Sequence, residues 1–487
     1  MSLNRVIRGT FWLYVSGVAS NFLAYIYWLL ASQFVPASMI GQSAAVIGIS
    51  SLIVGVVSLG ISSGATRMFG QACGKNDRSS LSMYFASSFA LNLAIIGAAA
   101  VLVFFLGGVL GMSQIEIPFV SVLIVLTAAS QIPTALFNST LRTSAIALSS
   151  VLSALFRLAI GIALLYLGTG FLGVMLAFVI ASVVQDLVLL AMLRNSVSRS
   201  PLNFPSAMGS LKAGIPSWIP SLIATGGTWL GVLGVYSLVG STQAGTYYIA
   251  FMISQIVYTL PASLLTLMFP VLSGMEDGRK RSASRSIKLS TAIVAPIAAI
   301  VIAYPSVPLS MLGPSYVASA MALQILLVGC FLTPISSGFN SLVYAYGRYR
   351  FVTILGLAIN IPRVALYPLL VSLWGDNGAA LSYISGLVAA IVVVYFMAKR
   401  IGFAMGWLSS LTVSAIPCLL VAVMALTRIP WFLGAFLTLI ITAAAYARLG
   451  VVTRTDLAEI SSAFISKERL YYVYPYAKYI LDVLYGK

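Results

Sequence analysis

The sequence predicts an all-α, polytopic membrane protein with about fourteen transmembrane helices. It has two pseudo-symmetric six-helix lobes and two further helices at the C-terminal end. Three observations carry this. The 487 residues are 60% hydrophobic and only 8% charged, with a mean hydropathy of +1.03, whereas a soluble domain carries about 25% charged residues. The basic residues lie in alternate breaks between apolar runs. The chain also matches itself at a nearly constant offset.

A bilayer crossing needs about 20 apolar residues. On that scale the spans fall at 10–33, 40–65, 82–108, 118–141, 145–167, 170–193, 215–238, 244–272, 289–311, 316–345, 351–373, 377–398, 404–427 and 430–447. The first follows Arg5 and Arg8 and is too long for a signal-peptide core, so it is read as a retained span. Trp12, Tyr14, Tyr27 and Trp28 near its ends read as interfacial belts. Within 448–487, Asp456 and Glu459 suit a helix cap, and the tyrosines and lysines beyond suit an interfacial anchor.

The breaks test the count. Counting the N-terminal pair and the tail, 24 of the 27 basic residues fall on one side, and only Arg428 on the other. The remaining two, Arg157 and Arg363, lie inside spans. That asymmetry predicts an even number of spans, both termini in the cytosol and residence in the cytoplasmic membrane. The loop "MEDGRKRSASRSIK" reads as a solvated orientation signal. The net charge of +17 is therefore topological, with some attraction to membrane lipids, and no nucleic-acid partner is expected.

The internal repeat is visible position by position. "PASMIGQSAA" (36–45) is echoed by "STQAGTYYIA" (241–250), and "PTALFNS" (133–139) by "PISSGFNS" (334–341). Arg157 before "GTGFLG" is echoed by Arg363 before "GDNGAA". Pairing Gly41 with Gly245, Asn138 with Asn340, Arg157 with Arg363 and Gly168 with Gly375 gives offsets of 204, 202, 206 and 207. The organisation expected is a lobe over 1–200, a lobe over 201–402, two additional helices over 403–449 and a cytosolic or interfacial tail over 450–487. Parallel duplicated halves are a transporter device, with substrate bound between them.

Several chemistries are excluded or disfavoured by composition. The chain has no histidine and three isolated cysteines, Cys73, Cys330 and Cys418. Histidine metal sites and triads are ruled out, and no cofactor or enzymatic activity is expected.

Arg157 and Arg363 are the main functional candidates. Each is the thirteenth position of its span as drawn, hence near mid-bilayer, where a charge is expensive and usually functional. Asp186 is the one acid inside the spans as drawn. By helix rise it lies roughly 9 Å from the level of Arg157. Asp376, nearest to Arg363, is about 20 Å further along the helix. The pair is read as an anion site, because a guanidinium fork suits phosphate. The alternative is structural pairing with backbone or with Asp186. Asn21, Asn138, Asn340, Gln131 and Gln324 could line a polar path or bond between helices. Asn360 sits three positions before Arg363 and could orient it. Asp186 could couple an ion.

The segment "FVPASMIGQSAAVIGISSLIVGVVSLGISSGATRMFG" resembles the opening of polysaccharide transporters of the multidrug/oligosaccharidyl-lipid/polysaccharide exporter superfamily. "VGSTQAGTYYIAFMISQIVYTLPASLLTLMFPVLSG" is similar to their second-lobe opening, with Gly245, Tyr248, Ala250, Pro261, Pro270 and Ser273 in order. The resemblance implies a flippase for a polyprenyl-(di)phosphate-linked oligosaccharide, working by alternating access around a cationic central cavity. It serves surface polysaccharide or glycoprotein synthesis and could act beside glycosyltransferases or a polymerase. Multidrug/cation antiporters of the same superfamily are the alternative, but they typically need intramembrane carboxylates. A non-transporting membrane scaffold subunit is a third reading.

Overall fold

The computed structural model describes residues 3–454 apart from 110, 195, 199, 276, 405 and 428; side chains of 3–15, 262–264, 266–271, 273–274 and 407–410 are not described. The cap and anchor expected beyond Asp456 lie outside these residues.

The chain is all-α. Its first half comprises α1 (Leu3–Ala31), α2 (Ala37–Val57), α3 (Ile61–Gly74), α4 (Arg78–Leu106), α5 (Glu116–Ser139), α6 (Thr143–Tyr166) and α7 (Gly170–Leu193). Then come α8 (Phe204–Leu238), α9 (Ser241–Gly274), α10 (Arg279–Ala303) and the short α11 (Ser306–Ser310). A 3₁₀ turn (Pro314–Ser319) leads into α12 (Ala320–Ala345), followed by α13 (Tyr349–Arg400), α14 (Trp407–Leu426) and α15 (Trp431–Arg448). Ten of the described helices are long and apolar enough to cross a membrane. α13 holds two spans, and α1, α9 and α14 add three, which matches the fourteen expected. Large apolar side chains such as Phe105, Leu190, Leu411 and Leu426 stay exposed, as lipid-facing surfaces require.

Two boundaries differ from the hydropathy reading. The span expected over 40–65 is broken: α2 ends at Val57, and Leu59 and Gly60 take left-handed φ of 47° and 73° before α3 begins. Apolarity continues through the break, so hydropathy cannot see it. The spans expected at 351–373 and 377–398 form one continuous helical hairpin. Gly375, with φ 57° and ψ −129°, supplies the turn, a conformation nearly restricted to glycine. The second arm runs back along the first. A Cβ at Gly378 would overlap the Leu370 carbonyl, and one at Gly386 would overlap the Ile359 carbonyl and press on Arg363. Asp376 steadies the bend by accepting hydrogen bonds from the Asn377 amide at 3.0 Å and from Ser319 Oγ at 2.7 Å.

Cα packing groups the chain into two compact units. The first comprises residues 1–256, 308–326 and 349–390; the second comprises 257–307, 327–348 and 391–487. In the first unit, Val46, Ile96, Ile124 and Met175 bring α2, α4, α5 and α7 into one core. Phe69, Leu136 and Leu189 form another further along. Glu116 opens α5 in a reciprocal pair with Ser113, and its carboxylate accepts from Gln42 of α2 and Tyr236 of α8. In the second unit α10 packs on α14 and α15, and the Tyr446 hydroxyl donates to the Val413 carbonyl at 2.6 Å.

The repeat has a structural consequence inside the first unit. A Cβ at Gly41 would overlap the Ser241 carbonyl, and a Cβ at Gly245 would overlap the Ala37 carbonyl. Shifted by the repeat offset, these are the same contact, made once in each direction. Such a reciprocal contact is the signature of a twofold relation, here between equivalent helices α2 and α9.

Candidate functional site

Arg157 projects from α6 into a set of aromatic rings. Its guanidinium carbon lies 4.9 Å from the Phe178 ring centroid on α7 and 5.6 Å from that of Tyr27 on α1. Tyr27 and Trp28 are 0% and 1% exposed, so they are core residues and not the interfacial belt expected of them. Trp28 also meets Phe178 at 5.8 Å and Tyr248 of α9 at 5.5 Å, and Tyr248 stacks on Trp229 of α8 at 6.4 Å. Ring faces carry negative potential and stabilise a cation by about 0.5–2 kcal/mol. They do not satisfy its N–H donors, and Arg157 Nε is buried without a hydrogen-bond partner among the described residues.

Arg363 occupies the equivalent place in α13 with a different environment. Its guanidinium carbon sits 3.7 Å from the Tyr383 ring centroid, and its Nε donates to the Tyr383 carbonyl at 2.9 Å. The Tyr383 hydroxyl in turn accepts from Gln255 Nε2 at 3.0 Å, and its ring meets Phe251 edge-on at 5.4 Å. Phe178 follows Arg157 in the sequence at almost the same interval as Tyr383 follows Arg363. Each repeat therefore sets an arginine on one helix of a hairpin over an aromatic ring of the return helix. The two sites converge on α9: Tyr248 is an electrostatic neighbour of Arg157, and the adjacent Tyr247 is one of Arg363.

The acid that could have neutralised Arg157 does not do so. Asp186 is buried on α7 and both carboxylate oxygens lack hydrogen-bond partners among the described residues. The structural alternative of an Arg157–Asp186 pair is therefore not formed. Asn92 Oδ1 on α4 and Gln131 Oε1 on α5 are also buried without a donor among the described residues.

The amides are dispersed. Asn360 donates to the Gly356 carbonyl at 2.9 Å and packs its Oδ1 against Gly227 of α8. Asn21 is half-buried on α1, and Asn138 is exposed at the end of α5. Asn340 and Gln324 are half-buried on α12. None of the contacts above joins these amides to either arginine. The aromatic partners were the part that sequence reasoning missed. The matched interval from arginine to ring in the two repeats is the signal that could have found them.

The pairing of Tyr27 and Gly161 extends the symmetry with its sense reversed. A Cβ at Gly161 of α6 would lie 2.6 Å from the Tyr27 ring, while one at Gly231 of α8 would lie 2.9 Å from the Tyr367 ring of α13. Tyr27 and Gly231 are equivalent at offset 204, and Gly161 and Tyr367 at offset 206. One repeat puts the ring on its first helix and the other on its fifth.

The profile of a family described as polysaccharide biosynthesis protein matches residues 42–321, more than half of the chain. A putative O-antigen transporter of Shigella flexneri is 26% identical over 145 residues, 29% of this chain and 35% of that protein; the aligned stretch spans about a third of the relative's length. Among solved structures, the lipid II flippase MurJ in an inward closed conformation superposes with a TM-score of 0.74 at 15% identity, over 90% of this chain and 99% of MurJ. An inward-facing MATE multidrug resistance transporter of the MOP superfamily gives 0.59 at 18% identity, over 80% and 94%.

Proposed function

The chain belongs to the polysaccharide biosynthesis protein family, and from that premise we propose that it is a flippase. Its cargo is a polyprenyl-(di)phosphate-linked oligosaccharide, carried from the cytosolic to the outer leaflet for surface polysaccharide or glycoprotein synthesis. The transport fold shared with MurJ and MATE proteins supports alternating access of two lobes. The observation that carries the choice of cargo is charge. Each repeat holds one arginine near mid-span against an aromatic ring, and neither is ion-paired with an acid among the described residues. A site with two uncompensated guanidinium groups attracts an anion and repels the cationic drugs of an antiporter.

In this reading Arg157 offers its unpartnered nitrogens to the phosphate. Arg363, whose Nε is bonded to the hairpin backbone, offers its terminal nitrogens. Asp186 is proposed as a coupling position, since a buried carboxylate without donors favours a proton or a cation. Moving a diphosphate of charge −2 outward across the full field releases about 4.6 kcal/mol per 100 mV, so the membrane potential favours export. Both termini and the basic breaks face the cytosol in this scheme, beside the glycosyltransferases that make the cargo, while a polymerase that uses it meets it in the outer leaflet.

The test is translocation of a lipid diphosphate in liposomes. Arg157→Ala and Arg363→Ala should each slow flipping while leaving insertion intact. Normal flipping by the double variant would refute the anion site. Efflux of cationic dyes from a sensitive host would replace this reading with the antiporter.

A further inference from the structure

A polar cluster joins the ends of α2, α5 and α8 that the topology of the transport reading puts outside. Glu116 opens α5 and is buried, at 7% exposure. Its carboxylate accepts from the Gln42 side-chain amide of α2 at 2.9 Å, from the Ser113 backbone amide at 3.0 Å and from the Tyr236 hydroxyl of α8 at 3.1 Å. It is the acceptor in all three bonds, the one role open to an ionised carboxylate. Gln42 and Ser113 belong to the first repeat and Tyr236 to the second. The carboxylate therefore ties one repeat to the other. All of these residues lie in the first compact unit.

The second repeat builds the same pair without the tie. Gln42 matches Thr246 at offset 204, and Glu116 matches Ser319 at offset 203. The equivalent contact is formed, with the Thr246 and Ser319 hydroxyl oxygens 2.8 Å apart. There the acid comes from the same repeat, because Ser319 donates to Asp376 at the turn of α13. The counterpart of Tyr236 at offset 204 is Ser32. Its hydroxyl donates to the Leu29 carbonyl of α1 at 2.9 Å and so turns back on its own repeat. The bond from Tyr236 to Glu116 is thus an addition to the duplicated pattern, made on one side.

α8 meets the first repeat at both of its ends, by different means. At the inner end a Cβ at Gly60 or at Gly214 would overlap the carbonyl of the other, and Trp218 Nε1 donates to the Gly55 carbonyl at 2.9 Å. That is close packing with a neutral bond. At the outer end α8 is held by the carboxylate. Gln33 also crosses between repeats there, to the Met311 carbonyl at 3.3 Å, but that bond is neutral and exposed. Hydrogen bonds to a charged group are the stronger kind. Water at the outer surface can take over both partners when this one breaks, so the bond suits repeated opening. Alternating access requires the contacts at the two ends to part in turn.

We propose that Glu116 and Tyr236 form a latch that holds the two repeats together on the outer side and opens when cargo leaves there. The latch rests on the alternating-access reading, but its test needs no cargo, so a failure of lipid-diphosphate flipping and a failure of the latch are read separately. The full chain, with Cys73, Cys330 and Cys418 replaced by serine, carries nitroxide labels at Phe105→Cys and Leu373→Cys. Both positions are exposed, near the outer ends of α4 and of the first arm of α13. Double electron–electron resonance in proteoliposomes reads their separation. Tyr236→Phe keeps the ring and leaves Glu116 its bonds to Gln42 and Ser113. The expected result is a longer-distance population about five-fold or more above that of the parent, and a change in the same direction for Glu116→Gln. Ser319→Ala, which alters the equivalent pair of the second repeat, should leave the parent distribution. Labels at Lys75→Cys and Arg350→Cys, on the inner side, should keep their separation in every variant. An unchanged outer separation in Tyr236→Phe, even with a lower Tm, would overturn the proposal, because the bond would then be structural only. An equal rise with Ser319→Ala, or at both ends of the molecule, would overturn it as well. Should Tyr236→Phe fail to fold, Glu116→Gln decides on the same reading.

Discussion

The two repeats place an arginine at the same register of the same hairpin, yet they treat it differently. Arg157 stands among rings with Nε unpartnered, while Arg363 is pinned to the backbone of its own hairpin through the Tyr383 carbonyl. The glycine contacts of α2 and α9 match between the repeats, while the side chains around the two arginines differ. The difference separates what each arginine does for the fold from what it does for a ligand, and variants can measure both.

The largest effect should come from the contact that is still symmetric. Gly41 and Gly245 meet carbonyl oxygens of the opposite helix, and backbone cannot swing aside. Gly41→Ala and Gly245→Ala should each lower stability by about 3 kcal/mol, at the upper end of overpacking costs. Thermal unfolding of the detergent-solubilised protein would show this as similar falls in Tm. A large fall for one and none for the other would break the twofold relation of α2 and α9.

The arginines come next, and here the two repeats should disagree. Arg363→Met removes a charge-assisted bond and its packing on Gly386, at a cost of roughly 1.5–3 kcal/mol. Arg157→Met removes a desolvated cation that leaves no acceptor stranded, so stability should change by less than about 1 kcal/mol. Both should slow flipping. If Arg157→Met unfolded the protein as readily as Arg363→Met, the guanidinium would be structural in both repeats.

The reversed ring and glycine give a smaller test. Gly161→Ala presses on the Tyr27 ring and the Ala177 side chain, and Gly231→Ala presses on Tyr367 and Tyr247. Side chains can shift, so a cost of about 1–2 kcal/mol is expected for each. Tyr27→Leu should recover part of the loss in Gly161→Ala and none of it in Gly231→Ala, read as coupling in a double-mutant cycle.

These comparisons also show what was legible in the sequence. The spans were, because each needs about 20 apolar residues and the breaks between them carry the charge. Gly41 and Gly245 could be matched by eye, but their reason, mutual contact, exists only in three dimensions. Tyr27 and Trp28 misled because a tyrosine near a span end looks the same whether it meets headgroups or a neighbouring helix. The break at Leu59–Gly60 was hidden by unbroken apolarity. The two arginines stood out at once, because a charge in an apolar run is costly wherever it points. Their ring partners lie elsewhere in the chain, Phe178 and Tyr383 on the return helices and Tyr27 on α1, so nothing beside either arginine in the sequence marks them.

The smallest effect concerns how the repeats start α4 and α10. Asp77 caps α4, accepting from the Ser80 amide at 3.0 Å and from Ser80 Oγ at 2.6 Å, whereas α10 starts after left-handed Gly278 with no side-chain cap. The Ser80 hydrogen bonds hold the Asp77 carboxyl below the usual carboxylate range. A carboxyl whose pKa is lower in the folded state stabilises the fold above its unfolded value of about 3.9, and that contribution is lost as pH falls through the folded value. The wild type should therefore lose a small increment of Tm between about pH 4 and the acid limit that Asp77→Asn does not lose. Asparagine still caps a helix, so the two proteins should differ least at low pH. An equal acid slope in both would show that this cap contributes nothing to the difference between the repeats.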